Sequence, residues 1–480
     1  MTAVPPRLAR FFEPDSASQQ LSRRLAQEGH RAYLVGGSVR DAFLDRTRPD
    51  SDIDIATDAR PDVIERVVKG WADAVWLQGE RFGTVGAEKD GDRLEITTFR
   101  AEIYRDDSRK PEVSFSDDVA TDLSRRDFTI NAIAIALDEP ELLDPYDGLV
   151  DLAARRLRTP LSPEVSFGDD PLRMLRAARF VATLGFEPDA DLVHAVEEMR
   201  ERLRIISAER IRDELSKLLL AEDPSAGLWL IARTKLAAEF LPELNAMELE
   251  QDPIHRHKDV LAHTIAVVAK TSARLKLRLG ALLHDVGKPG TRGYGPQGVT
   301  FHYHDVVGAR MARDRLLALR YSNDVVDDVA KLVELHLRFH TYKMGWTDSA
   351  VRRYVRDAGP LLEDLNELTR SDCTTRNAKK AAALARRMDE LEARIAELQE
   401  QEEMSKLRPA LDGNAVQEIL GVGPGRIVGK ALEFLMEIRI EEGEISEAEA
   451  TKRLRDWFRA DPDGVAGSPH DGGPERAAEE

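Results

Sequence analysis

The 480-residue chain has a single cysteine, Cys373, so no internal disulfide is open to it, and a reducing setting, the cytoplasm, is expected. Aromatic residues are scarce, 6% against 32% charged, which suits a helix-rich protein in water. No uninterrupted apolar run is long enough to cross a bilayer, and residues 1–20 have no apolar signal-peptide core, so no membrane partner is expected. Net positive charge is lacking as well. A formal charge of −18 argues against indiscriminate nucleic-acid binding, and any RNA partner must be held by local Lys and Arg side chains. The length exceeds what one core holds, so several domains are expected. Nothing in the pattern points to a protein partner.

What is present is concentrated in residues 34–56, LVGGSVRDAFLDRTRPDSDIDIA. Leu34-Val35 reads as a strand, Gly36-Gly37-Ser38 as a turn into a helix, and Ser51-Asp52-Ile53-Asp54-Ile55 as a second strand. The side-chain period of two puts Asp52 and Asp54 on one face and Ile53 and Ile55 on the other. Two neighbouring carboxylates repel unless a cation joins them, and Mg²⁺ is held in this way, by one or two carboxylates together with substrate phosphates. A helix N-terminus supplies free N–H groups for phosphate oxygens. Either half alone reads as an ordinary turn or a solvated strand end. Together, Gly36-Gly37-Ser38, thirteen residues, then Asp-Ile-Asp resembles the signature of the DNA polymerase β-like nucleotidyltransferase superfamily.

The rest of the head is read in order. A helix is expected over 16–28 and another from Pro61, with short strands at 74–77, 84–87 and 94–99. Glu95 stands on the last of these as a candidate third acid beside the Asp pair, with a solvent-facing edge residue as the alternative. Residues 100–118, with Tyr104, Arg105, Arg109 and Pro111, read as a mobile loop. Ser124-Arg125-Arg126-Asp127-Phe128 is expected to open a helix running to Leu137, with the Arg forks placed to neutralise phosphate. Gly36, Gly37, Ser38, Arg40, Arg126, Asp127 and Asn131 form the candidate nucleotide-binding set.

In Gly168-Asp169-Asp170-Pro171-Leu172-Arg173, Asp170 reads as an N-cap and Pro171 as the first helical residue. Asp170 and Arg173 then share a helix face. The plain reading is a cap and an intrahelical ion pair. The sharper one is a base reader: Asp accepts and Arg donates, which matches the amino donor and ring-nitrogen acceptor of cytosine and adenine. Uracil and guanine offer a ring N–H instead.

GGSVRD, DIDIA, LEITTFR, the 100–113 loop, RRDFTINA, DPYDGLVDL, DDPLRMLRAARF and AERIRDELSKLL follow in the order seen in bacterial class II CCA-adding tRNA nucleotidyltransferases and their poly(A) polymerase relatives. The resemblance covers roughly the first half of the chain. It implies that Asp52 and Asp54 hold the catalytic Mg²⁺, that Arg126 and Asp127 contact the incoming nucleotide, and that Asp170 with Arg173 pairs with its base. Asp169 stands where the family usually has Glu, a shorter reach toward Arg173.

Residues 176–220 read as a helical neck, broken at Gly185-Phe186-Glu187-Pro188, and 223–250 as a connector. A second chemistry begins with His263, His284-Asp285, His304, His336 and Asp372; His255, His257 and His340 have no assigned role. Clustered imidazole and carboxylate suits a transition metal. The spacing resembles the HD phosphohydrolase superfamily, which implies phosphate-ester hydrolysis. A basic stretch with Arg376, Lys379, Lys380, Arg386 and Arg387 precedes a seam of Leu384, Met388, Leu391, Ile395 and Leu398, expected to pack internally. A helical pair from Leu411 to Ala460 and a disordered tail at 461–480 complete the chain.

The expected fold class is α+β: a polymerase β-like head with a small mixed sheet at 1–150, then all-α segments. These are a neck and connector at 151–250, an HD-like domain at 251–372 and a helical tail at 373–460. The expected activity is addition of C, C and A to the 3′ end of tRNA from CTP and ATP. A poly(A) polymerase is the alternative within the class, and an HD phosphohydrolase with an RNA-binding head the alternative from another.

Overall fold

The computed structural model describes residues 6–46, 52–79, 83–100, 115–249, 259–295, 298–341, 347–374, 377–402 and 408–460. Ser51, the 101–113 part of the expected loop with Tyr104, Arg105, Arg109 and Pro111, His255, His257, Arg376 and the 461–480 tail lie outside them, as does the side chain of His340. The chain divides into two compact units, Met1–Val333 and Glu334–Glu480.

The first unit is built on a mixed sheet of β1 (Ala32–Val35), β2 (Ile53–Thr57), β3 (Ala74–Gly79), β4 (Thr84–Lys89), β5 (Asp92–Thr98), β6 (Ala134–Ala136) and β7 (Leu142–Leu143). Their order is β3-β4-β5-β2-β1-β6-β7. β2 and β5 run parallel, with Ile53 opposite Leu94, Asp54 opposite Glu95 and Ile55 opposite Ile96. The other neighbours are antiparallel. Ile53, Ile55, Leu94 and Ile96 are all buried, so the alternation that hides them turns Asp54 and Glu95 together to the opposite face. The mixed sheet is the one the sequence implies.

Two expected elements of the first unit are corrected. The helix expected from Ser124 to Leu137 is not there. A helix over Val119–Ser124, capped by Asp118, ends at Ser124; one 3₁₀ turn follows at Thr129–Asn131, and then comes β6. Ala134, Ile135 and Ala136 fill the slot beside β1, pairing with Val35, Leu34 and Tyr33, and a fully buried strand has no periodicity to separate it from a buried helix. Nor is 223–250 a plain connector. It folds into helices at Ser225–Arg233, Leu236–Glu239 and Pro242–Ala246, burying Leu228, Ile231, Leu236 and Leu244.

The neck helices are Leu172–Leu184, Ala190–Met199 and Ala208–Leu219, interrupted near Gly185 as expected. Helices Val260–Lys270, Leu275–Leu283 and His304–Ala318 follow, with a hairpin of Arg292–Gly295 and Gly298–Phe301 between the last two. In the second unit Ala378–Glu402 is one long helix whose Met388, Leu391, Ile395 and Leu398 are buried, so the seam packs inside the unit. The tail has three helices where a pair was expected: Gly413–Leu420, Arg426–Glu442 and Glu447–Ala460. They enclose their own core of Val416, Val428, Ala431, Leu435, Ala450 and Leu454. Among the described residues no helix is long and apolar enough to cross a membrane.

Candidate active site and metal centre

β1 ends at Val35 and the chain turns directly into the Gly36–Phe43 helix. Gly36 has φ +67°, and a Cβ there would lie 3.0 Å from the Asp54 carboxylate and 3.1 Å from the Arg126 guanidinium. Both the backbone and the space therefore call for glycine. The Gly37 N–H donates to Asp54 Oδ2 at 3.3 Å. Ser38 Oγ donates to the Asp52 carbonyl at 3.2 Å and accepts from the Asp54 N–H at 3.3 Å, pinning the start of β2 to the turn.

Burial pushes the Asp54 carboxyl above its ordinary range, against the pull of Arg126, the Gly37 N–H and Arg40, and the Asp52 charge adds to the rise. Glu95 is raised by burial and then by Asp54 and Asp52. The raised Asp54 and Glu95 carboxyls, with the Asp52 charge acting on both, are what a divalent cation would relieve, and hard carboxylate oxygens suit Mg²⁺. The three do not crowd: their oxygens do not all lie within 4.8 Å of one another.

Asp54 and Glu95 line a cleft of about 1060 Å³ whose wall carries Arg100, Arg125, Arg126, Arg173, Arg176 and Arg210. Arg126 pairs with Asp122 at 3.1 Å. The other members of the expected nucleotide set are bound to one another. Arg40 donates to Asn131 at 2.7 Å, Asn131 donates to Asp127 at 2.8 Å, and Arg176 Nε donates to Asp127 at 3.0 Å. Burial alone would raise Asp127, but Arg176 and the Asn131 amide hold its carboxyl well below the usual range. Asp127 is thus placed to position Arg176, which lines the cleft.

Asp170 and Arg173 both line the cleft but do not form the intrahelical pair of the plain reading. Asp170 Oδ1 accepts from the Leu172 N–H at 3.1 Å, the capping bond expected, although the helix itself begins at Leu172, after Pro171. Its Oδ2 accepts from Arg210 at 2.8 Å. Arg173 donates to Ser166 Oγ at 2.9 Å and to the Arg125 carbonyl. Asp169 pairs with Arg125 at 2.7 Å rather than with Arg173. Arg125 lines the cleft beside Arg126, while Arg100, Arg176 and Arg210 had no role assigned from the sequence. Arg176 carried a signal, since it repeats the three-residue step from Arg173 along the same helix.

The second centre gathers around Asp285. His284 Nε2 lies 3.2 Å and His263 Nε2 3.5 Å from Asp285 Oδ2, and His304 Nε2 lies 3.5 Å from Oδ1. His284 and His304 turn Nδ1 to the Ala281 and Phe301 carbonyls, each at 2.7 Å. That arrangement aims Nε2 inward as a metal ligand requires. Burial opposes ionisation of Asp285, but His284, His304 and Lys288 hold it well below the carboxylate range. His263, His284 and Asp285 are a compact, buried candidate metal-binding group. His336 and Asp372 belong to the second unit, Asp372 at the end of the Leu362–Asp372 helix.

Residues 32–158 match the family model of the poly A polymerase head domain, 185–248 that of a probable RNA- and SrmB-binding site of polymerase A, and 259–401 that of the HD domain. A CCA-adding enzyme of Bacillus pumilus is 39% identical over 239 residues, which is 50% of this chain and 58% of that protein. One from Leuconostoc citreum is 42% identical over 212 residues, 44% of this chain and 51% of that protein. The chain thus spans somewhat over half the length of the curated relatives it matches. The crystal structure of the Bacillus stearothermophilus CCA-adding enzyme in complex with CTP superposes with a TM-score of 0.66 at 24% identity, covering 96% of this chain and 99% of that one. The Thermotoga maritima CCA-adding enzyme complexed with tRNA gives 0.56 at 19%, covering 95% and 97%. These likenesses establish the fold. The chain carries in succession segments similar to a poly A polymerase head domain, a probable RNA-binding site of polymerase A and an HD domain, in the fold of the CCA-adding enzymes.

Proposed function

We propose that the protein is a cytoplasmic CCA-adding tRNA nucleotidyltransferase that extends tRNA with C, C and A from CTP and ATP. The observation that carries this reading is Asp54, held by the Gly37 N–H on the face it shares with Glu95 and opening into an arginine-walled cleft. The tRNA 3′-oxygen attacks the α-phosphorus of the nucleotide; a 3′-O–P bond forms, the bond to the β-phosphate oxygen breaks, and pyrophosphate leaves. Asp52 and Asp54 would hold Mg²⁺, with Glu95 the third carboxylate beside them. When bound, the metal supplies Lewis-acid activation of the hydroxyl and charge stabilisation of the leaving group. Arg126 and Arg176 offset repulsion between the anionic acceptor and the triphosphate. Asp170 and Arg173 select bases that pair an amino donor with a ring-nitrogen acceptor. The names of the curated relatives favour CCA addition over poly(A) tailing.

Replacing Asp52 or Asp54 by Ala should abolish incorporation while leaving the circular-dichroism spectrum and melting temperature close to those of the parent. Near-normal turnover with Mg²⁺ in either variant rejects the assignment. The Asp285 cluster supports a second role, a transition-metal centre for phosphate-ester hydrolysis in the HD region, to which His336 and Asp372 are assigned by resemblance. Mass spectrometry under native conditions should find a bound metal that is lost in His284→Ala.

A further inference from the structure

The floor of the arginine-walled cleft continues past Glu95. Asp54 stands opposite Glu95, Glu95 opposite Gly86 and Gly86 opposite Trp76, so one row crosses β2, β5, β4 and β3. Residues opposite one another share a face of the sheet. Val85 and Ala87, on either side of Gly86, are fully buried on the other face, which leaves Gly86 and Trp76 on the face of the two acids. The neighbouring row holds Thr97 and Thr84, whose hydroxyls are 3.0 Å apart, and Arg100 donates to Thr84 at 2.6 Å. The Ala208–Leu219 helix borders the same cleft through Ala208 and Arg210, and the charge of its Lys217 acts on Glu95.

Trp76 closes the row on β3, the last strand of the sheet, and is 36% exposed. Its indole does not swing away from the site. A Cβ at Gly86 would collide with the Trp76 ring at Nε1, so the indole lies where a side chain at 86 would stand, folded inward over the backbone of β4. Neighbouring strands are about 4.8 Å apart, which puts the ring two spacings, about 10 Å, from the strand of Asp54. That is the reach from a 3′-oxygen to the base of its own nucleotide or of the one before it. The strand order divides the ground on either side of Asp54. The glycine turn that follows β1 lies on one flank, and β5, β4 and β3 lie on the other. In phosphoryl transfer the attacking and leaving oxygens stand roughly in line across the phosphorus. A triphosphate seated at the glycine turn therefore leaves the flank of Glu95, Gly86 and Trp76 to the acceptor.

We propose that Trp76 is the stacking platform for the last base of the RNA acceptor, seated flat because Gly86 has no side chain, so that the 3′-oxygen of that nucleotide comes to rest at Asp54 and Glu95. The role rests on the reading of this cleft as a site of nucleotidyl transfer to RNA. Stacking tolerates any base, because every base has a π face. An acceptor whose last base changes with each addition needs a grip of that kind. Arg100 and Lys217 are placed to meet its backbone phosphates. An indole that served only to cover the end of the sheet would be replaced well by any apolar side chain of similar reach, and a stacking platform would not.

The test uses the full chain and a tRNA that lacks its last three residues and carries 4-thiouridine as its final nucleotide. Cross-linking in near-ultraviolet light, mapped by mass spectrometry, should place the adduct in the peptide containing Trp76. In steady-state kinetics with CTP, Trp76→Leu keeps an apolar cover over Gly86 but loses the ring. It should raise KM for the tRNA by about 5-fold or more while KM for CTP stays within about 2-fold. Trp76→Phe keeps a ring and should recover most of that loss, with both variants melting close to the parent. Adducts confined to other peptides, a KM for tRNA in Trp76→Leu equal to that of the parent, or a loss shared equally by the Leu and Phe variants would overturn the platform. An adduct on Trp76 without incorporation of CTP counts against the transfer reading alone. Normal incorporation with the adduct elsewhere counts against the platform alone.

Discussion

Burial drives the Asp54 carboxyl upward while Arg126, the Gly37 N–H and Arg40 pull it down, and Glu95 rises with it. Both acids therefore retain protons above the ordinary carboxylate range in the metal-free fold. Protons and Mg²⁺ compete for the same oxygens, so the Mg²⁺ concentration giving half-maximal incorporation should fall as pH rises through the window above that range. A pH-independent Mg²⁺ requirement would contradict the assignment. Asp127 behaves in the opposite sense. Its folded-state pKa is depressed, so its contribution to stability is present above the unfolded value and is lost as pH falls toward the folded one. Asp127→Ala leaves Arg176 without its main partner and should cost about 3 kcal/mol, measured by urea unfolding at neutral pH. Much of this was hidden from the sequence. Asp52 lies just ahead of β2 and is exposed; the turn of Asp54 away from the buried Ile53 and Ile55 was legible because period two is a backbone property. The inward engagement of Asp127 was not, because its partners Arg176 and Asn131 meet it only once the neck helix has folded against the head.

At the scale of elements, the parallel pairing of β2 with β5 settles the neighbour of Asp54, since the register that puts Ile55 opposite Ile96 brings Glu95 beside it. The sequence offered the strands and not their order, so an edge position for Glu95 stayed open until β4 was found covering β5. The 124–137 stretch was misread for a related reason. Its alternation of Ala with Ile is buried on all sides, and burial on all sides erases the period that tells strand from helix. The neck illustrates how one residue ends an element. Arg278, 2% exposed, donates to the carbonyls of Leu219 and Ala221 at the end of the Ala208–Leu219 helix, to Glu222 at 3.2 Å and to Thr271 at 3.1 Å. Arg278→Met fills the volume but strands these carbonyls, and should destabilise the protein by about 3 kcal/mol. A change below about 0.5 kcal/mol in urea unfolding would show that water takes over the bonds.

Across the whole molecule, the sequence suggests a succession of head, neck and histidine-rich segment because each begins with a motif of fixed chemistry. It conveyed little of the second unit, where the seam of Met388, Leu391, Ile395 and Leu398 says that a helix is buried without saying against what. The central claim belongs to this scale, since it needs the Asp pair, the arginine wall and the base reader to act on one substrate. It is tested most directly by giving the full chain a tRNA that lacks its last three residues, with each nucleotide supplied singly and then in combination. CTP alone should add two residues, CTP with ATP should add three and stop, and UTP and GTP should add none. Unrestricted tailing with ATP, or failure to use CTP, would contradict the account.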